Sequence, residues 1–326
     1  MLSNFKQVPV KQVPARHVLA RGLVAGLALG HLGFAPQLAL TIAGPDLIWV
    51  PSAEAGKAAG VDAASVDAAG VDAAQVVSLG DVMQLGPLLA VIREEGLAYG
   101  DGLDQALLDG AGGLDWRAEV ARIYDPVKAR IHLDTALLAA LSTDPATVRT
   151  MLDFFASPLG IKVTGLEVQA RRSFLDPAAK DPATVAWLET DEKSSPRAAT
   201  LHRLIDALGL IDLNVQGTLN ANLALYRGLA LGGGLKSPMG DEDALAHVAG
   251  EERRARTAAQ VWLYPYMALA YKPLADAELD GYVDYLTSDA GKKANMAMFH
   301  AFDALFAGIS HDLGLAASQR LAGHDI

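Results

Sequence analysis

Few residues in this chain have the types and spacing that chemistry needs. His247 and Glu251 stand one helical turn apart, and His300 and Asp303 share a face at i, i+3. Either pair could begin a metal site, but a metal takes three or four ligands and the sequence marks no third. They read as surface residues, and no metal or cofactor is expected. Gly232-Gly233-Gly234-Leu235-Lys236-Ser237 has the look of a phosphate loop. Its lysine is displaced from the last glycine and no strand leads into it, so the glycines read as a helix end. There is neither a Gly-x-Ser-x-Gly elbow nor a His-Glu-x-x-His helix. Glu94, Glu95, Asp101 and Asp104 offer carboxylates without a partner base or the spacing of a calcium loop. The chain has no cysteine, which removes thiolate nucleophiles and disulfides. No catalytic residue is assigned.

Binding residues are better marked. Val215, Leu219, Asn222, Tyr226 and Leu229 fall on one helical stripe, which sets the Asn222 amide among apolar neighbours. A buried amide has to be paired, by a ligand or by a helix end or tyrosine hydroxyl nearby. Trp262, Tyr266 and Tyr271 form an aromatic ridge that lines either a pocket or a core. Asn222, Tyr226, Trp262 and Tyr266 are therefore the candidate ligand-binding residues.

The elements that must hold these residues are helices. Hydrophobic residues make up 51% of the chain, and alanine and leucine outnumber the β-branched residues that strands favour. Val82, Leu85, Leu88, Leu89 and Ile92 fall at helical spacing, as do Val120, Ile123, Val127 and Ile131, and both sets read as core stripes. A capping residue followed by proline marks helix starts at Asp144-Pro145, Ser157-Pro158, Asp181-Pro182 and Ser195-Pro196. Pro265 falls inside an apolar run and is expected to kink a long helix.

The N-terminus differs from the rest. Residues 1–21 carry Lys6, Lys11, Arg16 and Arg21, residues 22–43 are apolar and small, and neither stretch has an acidic residue. That is the pattern of a signal peptide over 1–43, with Thr41-Ile42-Ala43 at the cleavage site. An uncleaved anchor helix is the alternative. Within 44–78 a five-residue motif recurs: Val61-Asp62-Ala63-Ala64-Ser65, Val66-Asp67-Ala68-Ala69-Gly70, Val71-Asp72-Ala73-Ala74-Gln75. A period of five builds no helical stripe, so 44–78 reads as a flexible spacer. All 38 acidic residues lie beyond residue 43, against 23 of the 27 basic ones. Such a body repels nucleic acid and anionic membranes.

Two internal matches organise the remainder. Phe154-Phe155-Ala156-Ser157-Pro158-Leu159-Gly160-Ile161-Lys162 returns as Tyr285-Leu286-Thr287-Ser288-Asp289-Ala290-Gly291-Lys292-Lys293, at an offset of 131. Gly96-Leu97-Ala98-Tyr99-Gly100-Asp101-Gly102-Leu103 matches Gly228-Leu229-Ala230-Leu231-Gly232-Gly233-Gly234-Leu235 at an offset of 132. About 85–175 and 215–306 thus read as two copies of one unit joined by 181–214. The resulting units are 79–195 and 196–326, packed across a pseudo-two-fold axis in an all-α bundle. Ser157, Pro158, Gly160, Ser288 and Gly291 would set the turn in each copy, with Lys162 and Lys293 pointing from the helix that follows.

On these motifs the chain resembles the bacterial family called domain of unknown function 2059, over about 80–310. The second copy departs from the motif, with Asp289 in place of the proline. The resemblance implies an all-α protein exported to the cell envelope, and it carries over no catalytic residue. The reading is an exported, non-catalytic helical protein of the periplasm or outside the cell, which binds a protein or small-molecule partner. It contacts membrane only if the N-terminal segment stays uncleaved. The alternative is a hydrolase with a carboxylate or histidine site between the two copies.

Overall fold

Helix starts in this chain are fixed by residues within three positions of each other. In five cases a side-chain oxygen accepts a first-turn amide and a proline follows at once, where its missing N–H has no partner to lose. Asp125 caps α4 (Pro126–Leu141), Asp144 caps α5 (Pro145–Phe155), and Ser157 caps α6 (Pro158–Ser173). Asp176 caps α7 (Pro177–Leu188) and Ser195 caps α8 (Pro196–Ala207). The expected start at Asp181-Pro182 is wrong: Asp176 caps five residues earlier and Pro182 lies inside α7. The computed structural model describes residues 70–190, 195–233 and 240–324. The expected signal peptide, most of the expected spacer and the stretch Gly234-Leu235-Lys236-Ser237 lie outside the described residues.

The described residues form thirteen helices and no strand, so the all-α expectation holds. The others are α1 (Ala73–Val82), α2 (Leu85–Leu107), α3 (Gly113–Ile123), α9 (Leu210–Leu231), α10 (Asp241–Gly250), α11 (Glu252–Tyr271), α12 (Asp276–Thr287) and α13 (Asp289–His324). The spacer reading fails over its last residues. Asp72 accepts the Gln75 amide at 2.8 Å while the Gln75 side chain accepts the Asp72 amide at 3.0 Å. This reciprocal cap starts α1, and Val71 and Val76 are buried. Pro265 is accommodated within α11, which runs on to Tyr271. Gly233, with φ +75°, follows the end of α9, as the helix-end reading of those glycines requires.

One buried apolar cluster runs through both halves of the chain. Its longest seam is α13 lying along α9. There Gly228 and Gly314 let the backbones touch: a Cβ on Gly228 would fall 2.0 Å from the His311 carbonyl oxygen, and one on Gly314 would fall 2.2 Å from that of Leu225. Elsewhere the halves meet reciprocally. Helix α6 packs on α11 and α13 packs on α4, while α12 meets α6 and α13 meets α5.

The two serine-glycine corners have the same local geometry. Ser157 (φ −71°, ψ 159°) accepts the Gly160 amide at 3.1 Å, and Ser288 (φ −66°, ψ 163°) accepts the Gly291 amide at 3.1 Å. They also pack on one another. The rings of Phe154 and Tyr285 stack at 3.7 Å with an interplanar angle of 2°. Lys162 reaches Glu278 at the start of α12, and Lys293 reaches Asp144 at the start of α5, each at 2.6 Å. These exposed ion pairs add little stability on their own, but their exchange of partners fixes how the corners face.

Each corner closes so tightly that only glycine fits. A Cβ on Gly160 would lie 2.1 Å from the Phe154 carbonyl oxygen, and one on Gly291 would lie 2.1 Å from that of Tyr285. Gly160→Ala and Gly291→Ala are each expected to destabilise by about 2–3 kcal/mol, the range for forced overpacking. Gly308→Ala, where a Cβ meets nothing within 4 Å, should instead stabilise by about 0.5–1 kcal/mol through helix propensity. Urea unfolding of the three variants checks this, and equal effects at 160 and 308 would refute the steric account.

One expected stripe breaks. Val120 is buried, but Val127 and Ile131 are 68% and 61% exposed. The cap at Asp125 and Pro126 splits the run between α3 and α4, so the second half of the pattern rotates away from the core.

Candidate functional site

Helix α6 begins at the first corner and carries one buried face: Gly160, Val163, Thr164, Glu167, Ala170 and Arg171. The spacing is that of an apolar stripe, yet two positions one turn apart are charged. Glu167 is fully buried at 0% exposure and Arg171 is 1% exposed. Each is met by groups distant in the chain.

Arg171 forms a two-pronged pair with Glu95 of α2, through Nε to Oε1 at 2.9 Å and a terminal nitrogen to Oε2 at 2.6 Å. Burial pushes the Glu95 carboxyl up, and the guanidinium opposes that shift. The paired fork satisfies both oxygens, the geometry a buried ion pair needs.

Among the described residues no counter-charge touches Glu167. Its Oε1 accepts the Tyr271 hydroxyl at 2.6 Å and the Tyr282 hydroxyl at 2.9 Å, while Oε2 has no hydrogen-bond partner among the described residues. The Tyr266 hydroxyl donates to the Glu167 backbone carbonyl at 3.0 Å. Burial pushes the Glu167 carboxyl up to about 8 against the pull of the two hydroxyls, so it keeps its proton at neutral pH. Burial also raises the three tyrosines well above their ordinary range, with the Glu167 charge acting in the same direction. The cluster joins the first half, through α6, to α11 and α12 of the second. At the offset of 131, Glu167 corresponds to Met298 and Tyr282 to Met151, both buried.

The four residues marked in the sequence divide into two places. Trp262 stacks on Tyr266 at 4.5 Å and both meet the Phe174 ring edge-on, so the pair belongs to the wall of the Glu167 cluster. Asn222 and Tyr226 lie on α9, where Tyr226 meets His247 edge-on at 5.0 Å. All four are buried. Among the described residues Asn222 Oδ1 and Trp262 Nε1 have no hydrogen-bond partner. Tyr271, also marked as part of the ridge, binds Glu167 directly. The described histidines do not converge. His132 and His300 line hollows beside α4 and α13, His202 meets the Trp187 and Tyr264 rings at a tilt, and His311 sits beside Asp312. Among the described residues no group of three His, Asp or Glu is arranged to hold a metal.

Sequence reasoning missed Glu167 and Arg171. The stripe argument that found Asn222 applies to α6 as well, but a Glu and an Arg at i, i+4 read as a solvated surface pair. A scan against protein-family models, a search of curated proteins and a search of solved structures each found no match.

Proposed function

We propose that this chain is an exported helical protein of the bacterial cell envelope that acts by binding a partner and catalyses no reaction. The observation that carries the non-catalytic half is the sealing of Glu167. A general acid or base has to reach the proton it transfers, within a hydrogen bond or one water of its substrate. Glu167 is wholly buried, with its Oε1 held by two tyrosines. Its neighbour Glu95 is taken up by Arg171. These groups tie two halves of a scaffold together. The export half rests on the basic and then apolar N-terminal segment and on the resemblance to the envelope family. Among the described residues no single helix is long and apolar enough to cross a membrane.

Expression in a Gram-negative host, osmotic release and N-terminal sequencing test the proposal. The expected product is released from the periplasm and begins just after Ala43. A product retained inside the cell with Met1 in place would overturn export. A hydrolase remains the second reading because Glu167 lies between the two halves. Purified wild type and Glu167→Gln, assayed on chromogenic esters and glycosides, should both be inactive. Turnover present in wild type and lost in the variant would decide for the hydrolase.

A further inference from the structure

Three positions distinguish the second serine-glycine corner from the first. Counted from the capping serine, Phe154 and Tyr285 lie three residues before it, Val163 and Ala294 six after it, and Thr164 and Asn295 seven after it. At the first corner these residues close the space and satisfy one another's surroundings. Val163 is fully buried, and the Thr164 hydroxyl donates to the Gly160 carbonyl at 3.0 Å while accepting the Gln84 side-chain amide at 3.0 Å. At the second corner alanine stands where the first has the larger valine, and a small hollow of about 10 Å³ lies beside it. Met83, Phe155, Leu286, Gly291, Ala294 and Met298 make its walls, all of them buried. Two polar residues complete the lining, Tyr285 from α12 and Asn295 from α13. The Tyr285 hydroxyl oxygen and Asn295 Oδ1 are both buried, with no hydrogen-bond partner among the described residues. Stranding such atoms is costly, and protein interiors pair them. Phe154 and Thr164 make no such demand at the first corner, since one has no hydroxyl and the other's is taken.

We propose that this hollow is a binding site for one internal water molecule, which accepts the Tyr285 hydroxyl and donates to Asn295 Oδ1. The volume matches the room that a single water needs, and two polar groups are enough to hold it. The chemistry selects the same occupant. An amide oxygen only accepts, so whatever meets Asn295 Oδ1 has to donate to it. Burial raises the Tyr285 hydroxyl above its ordinary range, so the phenol keeps its proton and donates in turn. Among the described residues no charged side chain lines the hollow, and an ion there would go uncompensated. The water ties α12 to α13 just where Met83 and Phe155, from the first half of the chain, close over them. It does at the second corner what the Gln84 side chain does at the first.

A high-resolution crystal structure of the protein reads the site directly. It should show one solvent peak within hydrogen-bond distance of both atoms. A direct bond between Tyr285 and Asn295, or a hollow without a solvent peak, overturns the inference. Tyr285→Phe and Asn295→Leu, made singly and together, test it in solution. Phenylalanine already stands at the equivalent place in the first corner, so Tyr285→Phe is expected to fold. Each single variant strands the polar group that remains, whereas the double variant removes both demands at once. The urea midpoint should therefore fall in each single variant, and in the double variant by only about half the sum of those two falls. Falls that add in full would show that the two groups share no occupant, and would overturn the inference as well.

Discussion

Arg171→Ala is expected to destabilise the fold by about 3–5 kcal/mol, the usual cost of removing one partner of a buried ion pair. The variant leaves the Glu95 carboxylate buried without the guanidinium that contacts it. Tyr124 and Tyr266, the ionisable groups on which the Glu95 charge acts, supply no positive charge. Glu95 can escape only by taking up a proton or by opening the α2–α6 seam, and both are costly. The converse holds for the pair as a whole. Desolvating two charges offsets most of their attraction, so Glu95→Met with Arg171→Met should restore most of the lost stability. Urea unfolding of the single and double variants closes the cycle, and a coupling energy below about 1 kcal/mol would show that the pair is solvated. A double variant as unstable as Arg171→Ala would show instead that the site needs the ions for their shape.

What could be read from the sequence follows the range of each interaction. The corners were legible because a cap spans three residues: Ser157 and Gly160, and Ser288 and Gly291, carry their own instructions. The same locality misled where two signals competed, as with Asp176-Pro177 against Asp181-Pro182, since either could start α7 and only packing selects. Burial was legible where a stripe stayed on one helix, as for Val215, Asn222 and Leu229. It failed where Pro126 broke the stripe and turned Val127 and Ile131 outward. The polar cluster was not legible, because its bonds cross from residue 95 to 171 and from 167 to 271 and 282. No local pattern announces a partner that far away. Tyr266 and Trp262 were singled out for their types alone, and the carboxyl that gives them a role lay on a helix that reads as ordinary.

Glu167 should make the stability of the fold fall as pH rises. In the unfolded chain its carboxyl titrates near the ordinary 4.5, and in the folded protein near 8. Between those values the folded state holds a proton that the unfolded state has released. The stability it contributes is therefore complete below about pH 4.5 and is lost as pH climbs through 8. The slope approaches about 1.4 kcal/mol per pH unit, which accumulates to on the order of 4 kcal/mol across the range. Glu167→Gln separates this from every other titration, because it keeps an acceptor for the Tyr271 and Tyr282 hydroxyls and carries no proton to lose. At pH 5 the two proteins should differ by no more than about 1 kcal/mol, and by pH 8 to 9 the variant should be the more stable by several. Urea midpoints measured at unit steps from pH 5 to 9 read the difference directly. Parallel curves for wild type and variant would mean that Glu167 is already ionised at neutral pH, held as a carboxylate by its tyrosines. In that case the seam between α6, α11 and α12 would be closed by a buried charge, and Tyr271→Phe with Tyr282→Phe would then unfold the protein near neutral pH, where the neutral acid would survive it.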